Sequence, residues 1–251
     1  MRRLIINADD WGRNREATDR TLDCVLRRTV SSVSAMVFME DSERGAQLAL
    51  EAGVDAGLHL NLTTPFSAPG HSAELARHHQ KVVSYLRRHR LAQVMYHPGL
   101  TRSFEYVVSA QLDEYRRLFQ KAPNRIDGHH HMHLSANVLF GGLLPAGTVT
   151  RRNFSFQPGQ QSPLNRLYRR ALDRVLARRH RLTDFFFSLP PFEPASRLRE
   201  IFLLARTYIV EVETHPERLA EYEFLMGDGI LAHTGGQSIA PSFAVPLPER
   251  S

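Results

Sequence analysis

The sequence predicts an α/β fold built as a parallel barrel. Three observations carry that expectation. Short apolar runs alternate with amphipathic runs along the chain, the apolar runs number about six to eight, and several end in ionisable residues. In a parallel barrel the C-terminal strand ends meet at one mouth, where groups distant in sequence converge.

The elements follow in order. Leu4 to Ala8 is an apolar run ending in Asp9-Asp10 and reads as a buried first strand. Asn14 caps a helix that carries Ala17, Thr21, Cys24, Val25 and Arg28 at helical spacing. Ser31 to Met39 is β-like, and Ser42 to Ala52 is helical with Ala46, Leu48 and Ala49 inward. Asp55 to Leu62 alternates, with Leu58, Leu60 and Leu62 on one face and His59 and Asn61 on the other. The polar stretch from Thr63 to Gln80 holds His71, His78 and His79 and opens a lid-like surface insertion over about residues 63–100. Phe104 to Phe119 is the clearest helix, with Phe104, Val107, Val108, Gln111, Leu112, Tyr115, Leu118 and Phe119 on one stripe and Pro123 beyond its end. Arg125 to His133 reads as a strand, and Val149 to Phe154 as another. Leu164 to Ala177 is a second amphipathic helix, its apolar face drawn by Leu164, Leu167, Tyr168, Ala171, Leu172, Val175 and Leu176. Asp184 to Leu189 and Tyr208 to Val212 complete the buried strands. The expectation is one domain over 1–251 with an atypical tail over about 227–251 that shapes the pocket.

The chain has 251 residues, 42% of them hydrophobic, which is enough for a sizeable core and argues against disorder. No apolar run is long enough to span a membrane. The N-terminus MRRLIINADD is a strand rather than a secretory signal, and the single Cys24 excludes an intrachain disulfide framework and a cysteine-based zinc site. Both facts point to the cytoplasm. The net charge of +6 is concentrated in arginines between Arg166 and Arg181. These form either a solvated helix face or a patch for an anionic partner. Without zinc-finger spacing, an aromatic RNA-binding motif or a helix-turn-helix, no nucleic-acid partner is expected.

Asp9 and Asp10 are the first candidates for chemistry. Two close carboxylates repel, so one must be neutralised. The economical arrangement puts one on a cation and leaves the other as general base; the alternative is an acidic pair at a helix start. His59 interrupts an apolar strand, as a ligand or as a hydrogen-bonded core histidine. In Asp127-Gly128-His129-His130-His131-Met132-His133, strand alternation would put Asp127, His129, His131 and His133 on one face. Imidazole and carboxylate are the usual ligands of zinc and related divalent ions, with some members orienting the others. His215 follows a strand and precedes Pro216, as a proton donor or as a helix-cap histidine. Arg151 and Arg152, just past another strand, are candidates to hold a polar group of a substrate. No nucleophile elbow, Walker loop or dinucleotide fingerprint is present.

These motifs resemble one family. Asn7-Ala8-Asp9-Asp10-Trp11-Gly12 is similar to the N-A-D-D-F-G opening of the YdjC-like carbohydrate deacetylases, which include chitooligosaccharide deacetylase. Gly57-Leu58-His59-Leu60-Asn61-Leu62-Thr63 resembles their G-L-H-L-N-L-T strand. The Asp127–His133 run is similar to D-S-H-H-H-V-H with Gly for Ser, and Thr214-His215-Pro216 to C-H-P with Thr for Cys. The run after His215 departs from the family's usual ending.

The resemblance implies a seven-stranded (β/α) barrel that removes acetyl groups from N-acetylated amino sugars or glycoconjugates. It implies one divalent ion, magnesium or zinc, on Asp10, His59 and His129, with Asp9 as general base and His215 as general acid. Asp127, His131, His133, Arg151 and Arg152 would then orient ligands or touch substrate. A homodimer is a further open expectation. Two other readings remain: a metal-dependent amidase or esterase on a non-sugar substrate, and a sugar-binding barrel without catalysis.

Overall fold

The structure, a computed structural model, describes residues 3–155, 162–234 and 238–243. Along the chain run β1 (Arg3–Trp11), α1 (Arg15–Leu26), β2 (Ser32–Ala35), α2 (Ser42–Glu51), β3 (Ala56–Leu60), α3 (Ala73–Leu86), α4 (Thr101–Phe119), β4 (Arg125–Gly128) and α5 (Ala136–Gly141). They continue through β5 (Val149–Thr150), α6 (Pro163–Ala177), β6 (Phe185–Ser188), α7 (Ala195–Leu204), β7 (Ile209–Thr214), α8 (Leu219–Met226) and α9 (Gly229–Thr234). The strands form one seven-stranded sheet in the order β5-β4-β3-β2-β1-β7-β6. The pairs β1–β7, β3–β4 and β6–β7 are parallel. This is the α/β class and the strand number expected of the barrel. No helix among the described residues is long and apolar enough to cross a membrane.

The chain divides into two compact units, Met1–Asp9 with Asp19–Val33 and Val149–Ser251, and Asp10–Thr18 with Ser34–Thr148. In the first, β1 and β7 run in register from Arg3 opposite Ile209 to Ala8 opposite Thr214. Leu4, Ile5, Ile6, Val210, Val212 and Phe186 are fully buried there. Cys24 is buried in the same unit, and burial pushes its thiol up to about 12, so the thiol is inert. Ala240 donates its N–H to the Leu4 carbonyl, and Phe243 packs with Ile5 and Val149. Residues 238–243 therefore brace the start of β1, the opposite end from Asp9. The remainder of the tail, 235–237 and 244–251, lies outside the described residues.

The helix α6 differs from its sequence pattern. Leu164, Leu167 and Tyr168 are exposed at 77%, 59% and 43%, and only Asp173 and Leu176 are buried. The first half of the apolar stripe faces solvent, and its second half turns inward, with Leu172 and Val175 half-buried and Leu176 buried.

In the second unit β3 and β4 pair from Leu58 opposite Ile126 to Leu60 opposite Gly128. The expected stripe of α4 is buried in full. Its polar member Gln111 lies inside that face because it replaces a ladder partner: its side chain accepts from the Asn61 N–H and donates to the Asn61 carbonyl. Tyr115 donates to the Ala56 carbonyl at the other end of β3. The stretch 63–100 contains the fourteen-residue α3, which packs against α4 and buries Leu75, His78, His79, Val82, Val83 and Leu86. The two histidines made this stretch look polar, yet they lie on its inner face.

That burial has a consequence for pH. His79 stacks on Phe66 at 3.9 Å, and burial pulls its imidazole down from 6.5 to about 4. Below its ordinary value the unfolded chain takes up a proton that the folded chain refuses. Stability therefore falls as pH drops from about 6.5 towards about 4, by on the order of 3 kcal/mol from this residue. Urea unfolding across that window is expected to show a shallower pH slope in His79→Phe, which keeps the stacked ring and loses the titration. An unchanged slope would show that His79 is charged in the fold.

Candidate functional site

In the second unit, three of the sequence-predicted residues come together. Asp10 is near the end of β1, His59 is on β3, and His129 follows β4 directly. All three are buried, and one ligand atom from each lies within 4.8 Å of the others. His129 Nδ1 is 2.9 Å and His59 Nε2 3.4 Å from the same Asp10 oxygen, Oδ1. That oxygen has no hydrogen bond of regular geometry. Arg13 holds the other, Oδ2, at 3.2 Å. Burial raises the Asp10 carboxyl, but the contacts and charges of His129 and His59 outweigh it and hold the group well below the usual carboxylate range. A buried anionic oxygen faced by two imidazole nitrogens fits a divalent cation in donor type and spacing.

Behind this group stands a supporting shell. Asp127 meets His59 Nδ1 at 2.7 Å, which turns Nε2 towards Asp10. Its second oxygen accepts from Ser34 Oγ at 2.6 Å and from Arg125 at 3.1 Å. Arg125 is itself buried, and its guanidinium lies flat against Gly57, where a Cβ would sit 2.7 Å from Cζ. Asp127 was expected in this role; Ser34 and Arg125 were not singled out. An arginine two residues before an aspartate in a buried strand, a spacing that puts both on one face, was the available signal.

The histidine run corrects the sequence reading. The strand ends at Gly128, and His129–Leu134 is a 3-10 turn with His130 and His131 in left-handed conformation. The single face proposed for Asp127, His129, His131 and His133 therefore does not exist. The chain folds back because Gly128 lets it. A Cβ there would lie 2.8 Å from the His133 nitrogen, so the serine found in the similar motif would require the returning backbone to shift. His133 is fully buried against that glycine. His130 meets Thr63 Oγ1 at 2.9 Å, and burial followed by the charge of His129 lowers it to about 4. Neither His131 nor His133 joins the Asp10 group among the described residues.

The first unit gathers a second set. Asp9 receives a bidentate guanidinium from Arg151, at 2.6 and 2.8 Å, and a third hydrogen bond from Asn7 at 2.8 Å. Arg151 is fully buried; it also bonds Glu211 at 2.7 Å and Glu213 at 3.3 Å and lies over the Phe186 ring. Of the two roles expected for Arg151, orienting other groups or touching substrate, its contacts here match the first, since it holds the residue expected as base. Glu211 and Glu213 were missed, although two acids spaced by two in an apolar strand point to one face. His215 follows β7, partly buried, with no hydrogen bond to its Nδ1 among the described residues, while its backbone N–H donates to Glu221. Arg152 turns the other way, onto Asp173 and the carbonyls of Thr183 and Asp184. A cavity of about 530 Å³ opens past the end of β6, walled by Phe154, Phe187 and Pro191 and edged by Glu193 and Arg197, within the size range of small-ligand sites.

Comparison with known proteins bears on these clusters. The model of a family described as YdjC-like protein matches residues 3–230. A carbohydrate deacetylase from Mus musculus is 28% identical over 142 residues, which is 54% of this chain and 44% of that protein. A chitooligosaccharide deacetylase from Serratia marcescens is 30% identical over the same length, 54% of this chain and 52% of that protein. The chain thus spans about half the length of the curated relatives it matches. A solved structure provisionally named a cellobiose-phosphate cleavage protein, from Enterococcus faecalis V583, superposes with a TM-score of 0.67 at 18% identity, covering 95% of this chain and 96% of its own. At that identity the likeness supports the fold.

Proposed function

We propose a function on one premise: the chain belongs to the YdjC-like family. It is a metal-dependent carbohydrate deacetylase, a hydrolase that removes an N-acetyl group from an amino sugar or a glycoconjugate containing one. The observation that carries the reading is the convergence of Asp10, His59 and His129 on one buried carboxylate oxygen. These three would hold a divalent ion; one carboxylate and two imidazoles suit zinc, with magnesium as the alternative. When bound, such an ion supplies Lewis acidity at an acyl oxygen and acidifies water.

The chain's own residues supply the rest. Asp127 holds the proton on His59 Nδ1 and so keeps Nε2 free as a donor atom. Asp9 takes the proton of the attacking water at a carboxylate oxygen. Arg151 and Asn7 fix that carboxylate in one orientation, which removes the entropy of searching for it. His215 gives a proton to the departing amine nitrogen, which is a poor leaving group as an anion.

The test is acetate release from a panel of N-acetylated sugars and non-sugar amides, with metal content measured on the same preparation. The expected result is about one divalent ion per chain, acetate from the sugars, and loss of both in His129→Ala. Acetate from non-sugar amides alone would replace the substrate, and sugar binding without metal or turnover would replace the reaction.

A further inference from the structure

The arginines of α6 pose a problem that the deacetylase reading leaves unsolved. In the first half of this helix Leu164 and Leu167 are exposed, while Arg166 and Arg169 are half-buried and Arg170 stands at the surface beside them. They line one pocket of about 150 Å³, and Arg152 enters it from the segment after β5. Residues three and four apart on a helix are neighbours, and like charges at that spacing repel. Four guanidiniums thus share a concavity in which Asp173 is the one acid among the described lining residues. Asp173 cannot serve all four. Its Oδ2 is taken by Arg152, and its Oδ1 accepts from the backbone and side chain of Asn153. Among the described residues neither Arg166 nor Arg170 makes a side-chain hydrogen bond or ion pair, while Arg169 Nε is on Asn165.

The pocket is also part apolar. Phe154 and Phe185 line it, so charges inside interact more strongly than on an open surface. Its volume is roughly ten times the ~15 Å³ that one water needs, which admits a small polyatomic anion. Arg151 and Arg152 are consecutive, and their side chains go to different partners, the first to Asp9 and the second to Asp173. The pocket is therefore built from guanidiniums that Asp9, Glu211 and Glu213 do not hold.

We infer that the pocket between α6 and the Arg152–Ser155 segment binds the phosphoryl group of inorganic phosphate or of a small phosphate monoester. A single carboxylate would leave most of the excess positive charge unmatched and is satisfied by one guanidinium fork. A phosphoryl group carries up to two charges, and its several oxygens point in different directions, as the donors here do. Binding relieves the repulsion along α6 and fixes that helix against the segment after β5.

The experiment is calorimetric titration of the full chain with inorganic phosphate and with glycerol 3-phosphate at low salt. The double variant Arg166→Gln/Arg170→Gln is compared with Arg178→Gln/Arg179→Gln, which alters two arginines just past the end of α6 and outside the pocket. Thermal melting of each free variant checks folding. One site with a Kd of about 1 mM or tighter is expected, weakened about tenfold or more by the first pair and unchanged by the second. Tighter binding of the ester identifies a monoester as the source, and tighter binding of phosphate the free ion. No binding by the wild-type chain, or equal weakening by both pairs, would overturn the site. So would binding of a single-stranded oligonucleotide that phosphate does not displace.

Discussion

Asp9→Asn is expected to lower turnover by about 10²- to 10⁴-fold, the range a positioned general base contributes, while the metal content stays that of the wild-type chain. The amide keeps the shape of the carboxylate and one accepting oxygen, so Arg151 retains one of its two bonds. Asparagine cannot take a proton from water at neutral pH, and Asp10, His59 and His129 are left intact. Metal analysis and acetate release on one preparation separate the two roles. Full turnover in Asp9→Asn would remove Asp9 as base. Loss of metal in that variant would mean that Asp9 belongs with the ligands.

The second large effect is on stability. Arg151→Met is expected to destabilise the fold by about 3–5 kcal/mol, the cost of leaving a buried ion-pair network without its cation. Asp9, Glu211 and Glu213 are all buried around this one guanidinium. Methionine fills part of the space over Phe186 and satisfies none of the three carboxylates. Arg151→Lys should recover only part of the loss, because an ammonium cannot make the bidentate contact with Asp9 while also reaching Glu211. Equilibrium unfolding in urea at neutral pH measures both. A loss within about 1 kcal/mol in Arg151→Met would show that solvent screens the cluster.

The sequence carried much of this arrangement because periodicity reports burial. The stripe of α4 and the apolar β1 each follow from which residues meet the core. Other features depend on contacts that no local pattern encodes. The histidine run alternates well enough for a strand, but its path is set by the room at Gly128 for the returning His133 backbone. Arg151 and Arg152 look equivalent in sequence, and only the acids across β7 decide which turns inward. The stripe of α6 is a true helical pattern of which only the second half, Leu172 to Leu176, is covered, since amphipathicity fixes that a helix has an apolar face and not how much of it a neighbour receives. His78 and His79 were counted as polar although each buries its ring against an aromatic one, Tyr106 for the first and Phe66 for the second.

Asp10 sits at φ 64°, in the left-handed region, where most side chains are disfavoured and glycine, asparagine and aspartate are tolerated best. With the proposed cation in place, position 10 would be filtered twice, once by what a cation accepts and once by what the backbone permits. Glutamate passes the chemical filter and fails the conformational one; glycine does the reverse. A lineage that gave up the reaction would drift at this position towards Asn or Gly and away from Glu or Ala, leaving a readable trace of the lost activity in its descendants.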